Sequence, residues 1–143
     1  MKKITSHIYL GNQIDAYNIL KGITTPKCIQ AVVDLTADSP SNKWRTDKNI
    51  NLKRVGLRNN LTKPQIKKTN TFIAEQHKLG RPVLICSKNE EMAVAVVLAF
   101  LVGHKEMTVV EATTKLEVAG IAPNVPETVL ETIRGLEVKE VEV

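Results

Sequence analysis

Pro82-Val83-Leu84-Ile85-Cys86-Ser87-Lys88-Asn89-Glu90-Glu91-Met92-Ala93-Val94-Ala95-Val96-Val97 is the stretch on which the fold turns. Its first five residues form a short apolar run closed by a cysteine, as in a strand buried on both faces of a parallel sheet. Three polar residues follow, and then Glu90 to Gly103, apolar almost throughout, predicts a helix buried on most sides. In α/β sheets ligands bind beyond the carboxyl ends of the strands, where backbone N–H groups gather at the start of the next helix. A cysteine at that place can be held as a thiolate and act as a nucleophile. It can equally be a small buried residue, and the residues of this stretch leave both readings open.

The same alternation extends outward in both directions. Upstream, Ile8-Tyr9-Leu10 before Gly11 predicts a short strand, and Gln13 to Lys21 has helical apolar spacing ended by Gly22. Ile29 to Leu35 is rich in β-branched residues and predicts a buried strand; a polar segment from Thr36 to Asn51 follows, in which Trp44 is expected to anchor a loop on the core. Leu52 to Leu57 is a weaker strand candidate, interrupted by Lys53, Arg54 and Gly56. Thr62-Lys63-Pro64-Gln65 combines a capping residue, an early proline and a Gln three positions on, which predicts a helix running to about Leu79. Downstream, Thr108 with Glu111 and Asn124 with Glu127 have the spacing of capping boxes that open two more helices. Strands separated by crossover helices imply an α/β fold: a central, mostly parallel, twisted sheet of about four to five strands with helices on both faces. At 143 residues, with no Pro/Gly linker or internal repeat, one domain over residues 1–143 is expected.

Composition narrows the function classes. Cys28 and Cys86 show no CxxC spacing and His7, His77 and His104 no HExxH pattern, so neither a disulfide framework nor a metal site nor a cofactor is expected. Met1-Lys2-Lys3-Ile4 runs straight into polar residues and the longest apolar run, Ala93 to Val102, is about half a membrane span; a cytoplasmic protein without secretory signal or membrane partner is expected. Residues 1–88 carry 16 Lys/Arg against 5 Asp/Glu, whereas residues 89–143 carry 4 against 10. Such a basic face could attract nucleic acid, with Lys53, Arg54, Arg58, Lys63, Lys67 and Lys68 as its densest part. A solvated surface is the simpler account, and no aromatic residues interleave these positions to stack on bases.

Several landmarks occur in an order that resembles the dual-specificity branch of the cysteine-based protein phosphatases. Ile8-Tyr9-Leu10-Gly11-Asn12-Gln13-Ile14-Asp15-Ala16 is similar to that family's opening segment, and Ala31-Val32-Val33-Asp34-Leu35-Thr36 to its second strand. Val83 to Cys86 is similar to the strand leading into its catalytic loop, and Ile121-Ala122-Pro123-Asn124 to the start of its last helix. The family's phosphate-binding signature is His-Cys-x-x-Gly-x-x-Arg-Ser/Thr. Laid on this chain it puts Ile85 at His, Cys86 at the nucleophile, Asn89 at Gly, Met92 at Arg and Ala93 at Ser/Thr. The family's general acid is an Asp after the third strand; the corresponding place offers Asn59, or by a shift of one residue Asn60, and no acid occurs from Lys48 through Ala74.

The resemblance therefore implies the fold of the family without its full chemistry. An arginine grips phosphoryl oxygens with two charge-assisted hydrogen bonds, at roughly 1.5–3 kcal/mol each, and Met92 can make neither. General-acid catalysis contributes typically about 10²–10⁴-fold, and an asparagine amide cannot donate that proton. The anion-binding loop is read as Ser87, Lys88, Asn89, Glu90 and Glu91, in which the two glutamates repel a dianionic ester and only Lys88 offsets them. Asn89 is expected to keep the loop shape, since Asn tolerates the left-handed conformation glycine would adopt there. The expected function is a pseudophosphatase module: a phosphatase-like domain with Cys86 as a relic nucleophile, binding a protein partner that is phosphorylated or not. Two alternatives stand beside it: an unconventional phosphatase that uses Cys86 with Lys88 or Arg58 in place of the missing arginine, and an RNA- or polyanion-binding accessory domain. The sequence leaves oligomeric state and partner identity open.

Overall fold

The computed structural model describes residues 1–23, 29–38, 40–44, 49–58 and 60–137. Its centre is β5 (Val83–Cys86), every residue of which is buried because both faces of the strand are covered. β5 pairs in parallel with β2 (Ile8–Gly11) on one side and with β3 (Ala31–Thr36) on the other; β4 (Asn51–Leu57) adds to β3, also in parallel. β1 (Lys2–Thr5) closes the other edge antiparallel to β2, giving the order β1-β2-β5-β3-β4. The mostly parallel sheet read from the sequence is therefore present, with five strands.

Side chains alternate across a strand, so β5 sorts its residues between two cores. Val83 and Ile85 face the larger one, which α3 (Lys63–Lys78), α4 (Glu90–Gly103), α5 (Val109–Val118) and α6 (Glu127–Arg134) close. Leu84 and Cys86 face the smaller one, under α1 (Gln13–Leu20) and the one-turn α2 (Ser41–Trp44). Every residue of α4 from Met92 to Val102 is buried, as its unbroken apolar run predicts. Trp44 packs on the smaller core, edge-to-face with Tyr17 at 5.3 Å, which is the anchoring role expected of it.

The capping boxes at Thr62/Gln65 and Thr108/Glu111 form with both reciprocal hydrogen bonds. A third, Asn12/Asp15, opens α1. The box expected at Asn124/Glu127 does not form: α6 begins after Pro126, which sits in extended backbone without a side-chain cap. The reason is steric. A proline disfavours helical backbone in the residue before it, so Val125 cannot serve as a first helical residue and the helix starts two positions later than the spacing suggests.

Gly11 ends β2 opposite Cys86 in the ladder and leads into α1. A Cβ there would come within 2.6 Å of the Asp15 carboxylate and 2.9 Å of Leu84, so any larger residue must displace both side chains. We expect Gly11→Ala to destabilise the protein by about 1–3 kcal/mol in urea denaturation; an unchanged midpoint would show that Asp15 can swing aside without loss of its cap.

Candidate functional site

Cys86 is the last residue of β5 and Ser87 the first beyond it, so the sheet delivers both to its carboxyl end, where the candidate loop begins. Pleating then decides which way the sulfur points. Cys86 shares its face with Leu84 and Val32, beneath α1, and has 0% exposure. Its register partner on β3 is Asp34, itself 1% exposed, and the thiol donates to Asp34 Oδ1 across 3.7 Å. The same carboxylate oxygen accepts the Thr36 N–H at 3.0 Å, and Oδ2 accepts the Ser41 hydroxyl. Three donors from β3, β5 and α2 thus converge on one buried acid.

This surrounding raises the thiol pKa far above the ordinary range. Burial contributes most, since it penalises the thiolate; the Asp34 charge, its hydrogen bond to the thiol and the more distant Asp15 act in the same direction, and only the Leu35 backbone opposes them. Cys86 is therefore held as a neutral thiol at physiological pH.

The loop that follows is organised around its own polar groups. Ser87 is buried and its hydroxyl donates to the Asn89 carbonyl. Asn89 caps α4: its side-chain oxygen accepts the Glu91 N–H at 3.0 Å and its carbonyl accepts the Met92 N–H at 3.2 Å. The expectation that Asn89 stands in for a left-handed glycine is not met, because φ is −115° and ψ 117°. Extended backbone is what an N-cap requires, and an Asn in that role gains its hydrogen bond only there. Lys88, Glu90 and Glu91 are exposed, and Glu90 pairs loosely with Lys2 at 3.7 Å. The two glutamates in the first turn stabilise α4 by about 0.3–1 kcal/mol each through the helix dipole, in the place where an incoming anion would seek the same field.

Met92 is 3% exposed and belongs to the larger core, yet its edge reaches a cleft of about 550 Å³ shared with Ser87, Lys88, Asn89, Arg58 and Thr36. A second cleft, of about 230 Å³, lies on the other side of Lys88 and includes Glu90 and Asp15. Ser87 lines both; Cys86 lines neither. Arg58, offered as a substitute arginine, is exposed and pairs with Asp38 at 3.7 Å. Asn59 lies outside the described residues, and Asn60 uses its side-chain oxygen to accept the Leu61 N–H at 2.9 Å. Among the described residues no group of three or more His, Cys, Asp or Glu could hold a metal ion. No described helix is long and apolar enough to cross a membrane.

No protein-family model matches the sequence, and no curated protein matches it. Solved structures do. Human DUSP28 superposes with a TM-score of 0.80 over 96% of this chain and 95% of its own, at 15% identity. A mouse putative dual specificity phosphatase complexed with zinc tungstate gives 0.80 over 95% and 85% at 16% identity. Tk-PTP in its active form gives 0.76 over 95% of each chain at 17% identity.

The chain has the dual-specificity phosphatase fold. Within that fold the resemblance read from the sequence places the family's nucleophile at Cys86 and its arginine at Met92. The structure brings these two and Ser87 to Glu91 to one end of the sheet, on opposite faces: Cys86 toward α1, Met92 toward the larger core. Asp34 was missed in the sequence as a site residue. Its signal was visible, an acid inside the otherwise apolar strand Ala31–Thr36, since a buried carboxylate requires partners.

Because the folded state raises the Cys86 pKa, it keeps the thiol proton that the unfolded chain gives up. That contribution to stability is complete below the unfolded thiol value, near 8.5, and is lost progressively as pH rises above it, with a limiting slope of about 1.4 kcal/mol per pH unit. Comparing wild type with Cys86→Ala in urea between about pH 7 and 10.5, we expect the wild type alone to show this extra decline. Parallel profiles would mean that the thiol is not shielded.

Proposed function

We propose that this chain is a phosphatase-like domain that does not turn over phosphate esters and serves as a protein-binding or scaffolding module. The single observation that supports the reading most is the sulfur of Cys86, fully buried, donating to Asp34 and absent from the lining of either neighbouring cleft. An in-line attack needs a thiolate within about 3–3.5 Å of phosphorus. Here the sulfur is protonated and covered, and uncovering it would break the Asp34 cluster.

Loss of the remaining parts adds to this. Met92 offers no charge to a phosphoryl group, Glu90 and Glu91 oppose one, and the amides of Glu91 and Met92 are already taken by Asn89. What persists is a cleft of about 550 Å³ with Lys88 and Arg58 on its rim and an apolar floor that includes Leu35, Leu57 and Met92. Such a surface suits an extended protein segment bearing an acidic or phosphorylated side chain, the cations steering it and the apolar floor holding it. The displaced-arginine alternative, an enzyme using Lys88 or Arg58, receives no support from the position of the thiol.

With an aryl phosphate as substrate, we expect hydrolysis indistinguishable from the buffer blank and unchanged in Cys86→Ser. Restoring the arginine and glycine of the family signature with Met92→Arg and Asn89→Gly should not produce turnover, because the thiol stays protonated beside Asp34. Wild-type turnover in the usual enzymatic range, about 1–10³ s⁻¹, abolished by Cys86→Ser would end the proposal.

A further inference from the structure

The three histidines, dispersed in the sequence, meet in the fold. His7 lies in the turn between β1 and β2, His77 in the last turn of α3, and His104 caps α4. His7 and His77 have ring centroids 5.0 Å apart; His77 lies 5.2 Å from Phe100, whose other neighbour, His104, stacks on it at 5.0 Å. The His7 carbonyl accepts the Val83 N–H at 2.8 Å, so this cluster sits where β2 and β5 begin, at the end of the sheet opposite Ser87.

Beside it is a cleft of about 200 Å³ whose polar lining is Thr5, Ser6, His7, His77, Lys105 and Lys115, over an apolar floor that includes Phe100 and Leu101. Its charge is one-sided. The two clefts beside Lys88 each set an acid against their cations, Asp15 and Glu90 in one and Asp38 in the other, and a further cleft between α3 and the end of α4 sets Glu75 against Lys63, Lys67 and Lys78. The cleft beside His7 and His77 has none, and among the described residues neither Lys105 nor Lys115 forms a salt bridge.

Lys105 and Lys115 are exposed and no carboxylate lines the cleft beside them, so an anion entering over the apolar floor would meet both charges without competition from a lining acid. The ring hydrogen bonds fit such an anion. His77 Nδ1 lies 3.0 Å from the Ile73 carbonyl and so must donate to it, which leaves Nε2 to face a ligand; His7 Nδ1 is held by the Ser6 hydroxyl at 2.9 Å. We propose that this cleft is an oxyanion site, taking a small carboxylate or phosphate between Lys105, Lys115 and the paired rings of His7 and His77. Zinc or copper would find two imidazoles here but two lysines against it.

Binding is proton-linked. The His77 pKa is lowered, first by burial and then by the nearby charges of Lys105, His7 and His104, with only the Ile73 carbonyl opposing. An anion offsets those charges and raises the value, so by reciprocity affinity increases as pH falls through the histidine range.

The test uses sulfate, whose charge is constant across that range, added to the intact protein at fixed ionic strength and followed by the NMR shifts of the histidine ring protons and of the backbone amides. We expect saturable shifts at His7 and His77, affinity rising about fivefold or more between roughly pH 7.5 and 5.5, and a tenfold or greater loss in a Lys105→Ala, Lys115→Ala double variant. Phenylphosphonate against benzoate at one pH then separates a phosphate from a carboxylate source. Shifts no larger than those from sodium chloride, or confined to residues 87–92, would overturn the site without recourse to any variant, and would leave the reading of Cys86 untouched.

Discussion

A buried carboxylate with three donors holds the centre of this molecule together. Asp34 lies in the middle of the sheet, where an unpartnered ionised group would cost several kcal/mol, and it accepts from the Thr36 amide, the Ser41 hydroxyl and the Cys86 thiol. Those donors come from its own strand, from α2 and from β5, so one side chain ties the segment after β3 back onto the sheet and adds to the burial that keeps the neighbouring sulfur protonated. The loop after β5 is in turn positioned by where β5 ends. Burial of the sulfur, with Asp34 acting in the same direction, favours the thiol over the thiolate, and the proposed loss of turnover rests on that.

The rest of the end of the sheet is organised around the start of α4. Asn89 turns its side chain and carbonyl onto the amides that open α4. Glu90 and Glu91 fill the positive end of the helix dipole, and Met92 joins the core instead of the cleft's polar rim. Each change favours a stable helix start over an anion site. Cys86 lines neither of the two clefts beside Lys88.

Much of the architecture was legible because parallel α/β proteins write it in runs. Val83 to Cys86 is apolar on both faces, Ile29 to Leu35 is rich in β-branched residues, the α4 run has no polar side, and Thr62 with Gln65 marks a helix start by local chemistry alone. β1 was not legible: of Lys2–Thr5 only Ile4 is buried, and what makes it a strand is backbone pairing with β2, which leaves no side-chain pattern. α2 is a single turn, too short for periodicity. At the site, the identity of the substituted positions was readable from the family signature, but the direction of Cys86 was not. It depends on strand register, which sets Asp34 beside it. The convergence of His7, His77 and His104 on Phe100 likewise needs three separate elements to pack before it exists.

The protonation state of Cys86 can be observed directly from its ¹³Cβ chemical shift as pH is raised, assigned separately from that of Cys28. A thiol signature persisting past about pH 9.5, beyond the ordinary thiol value, is what a sulfur buried against Asp34 must give. A thiolate signature already present at neutral pH would contradict the central claim, because it would mean that the attacking atom is charged and ready.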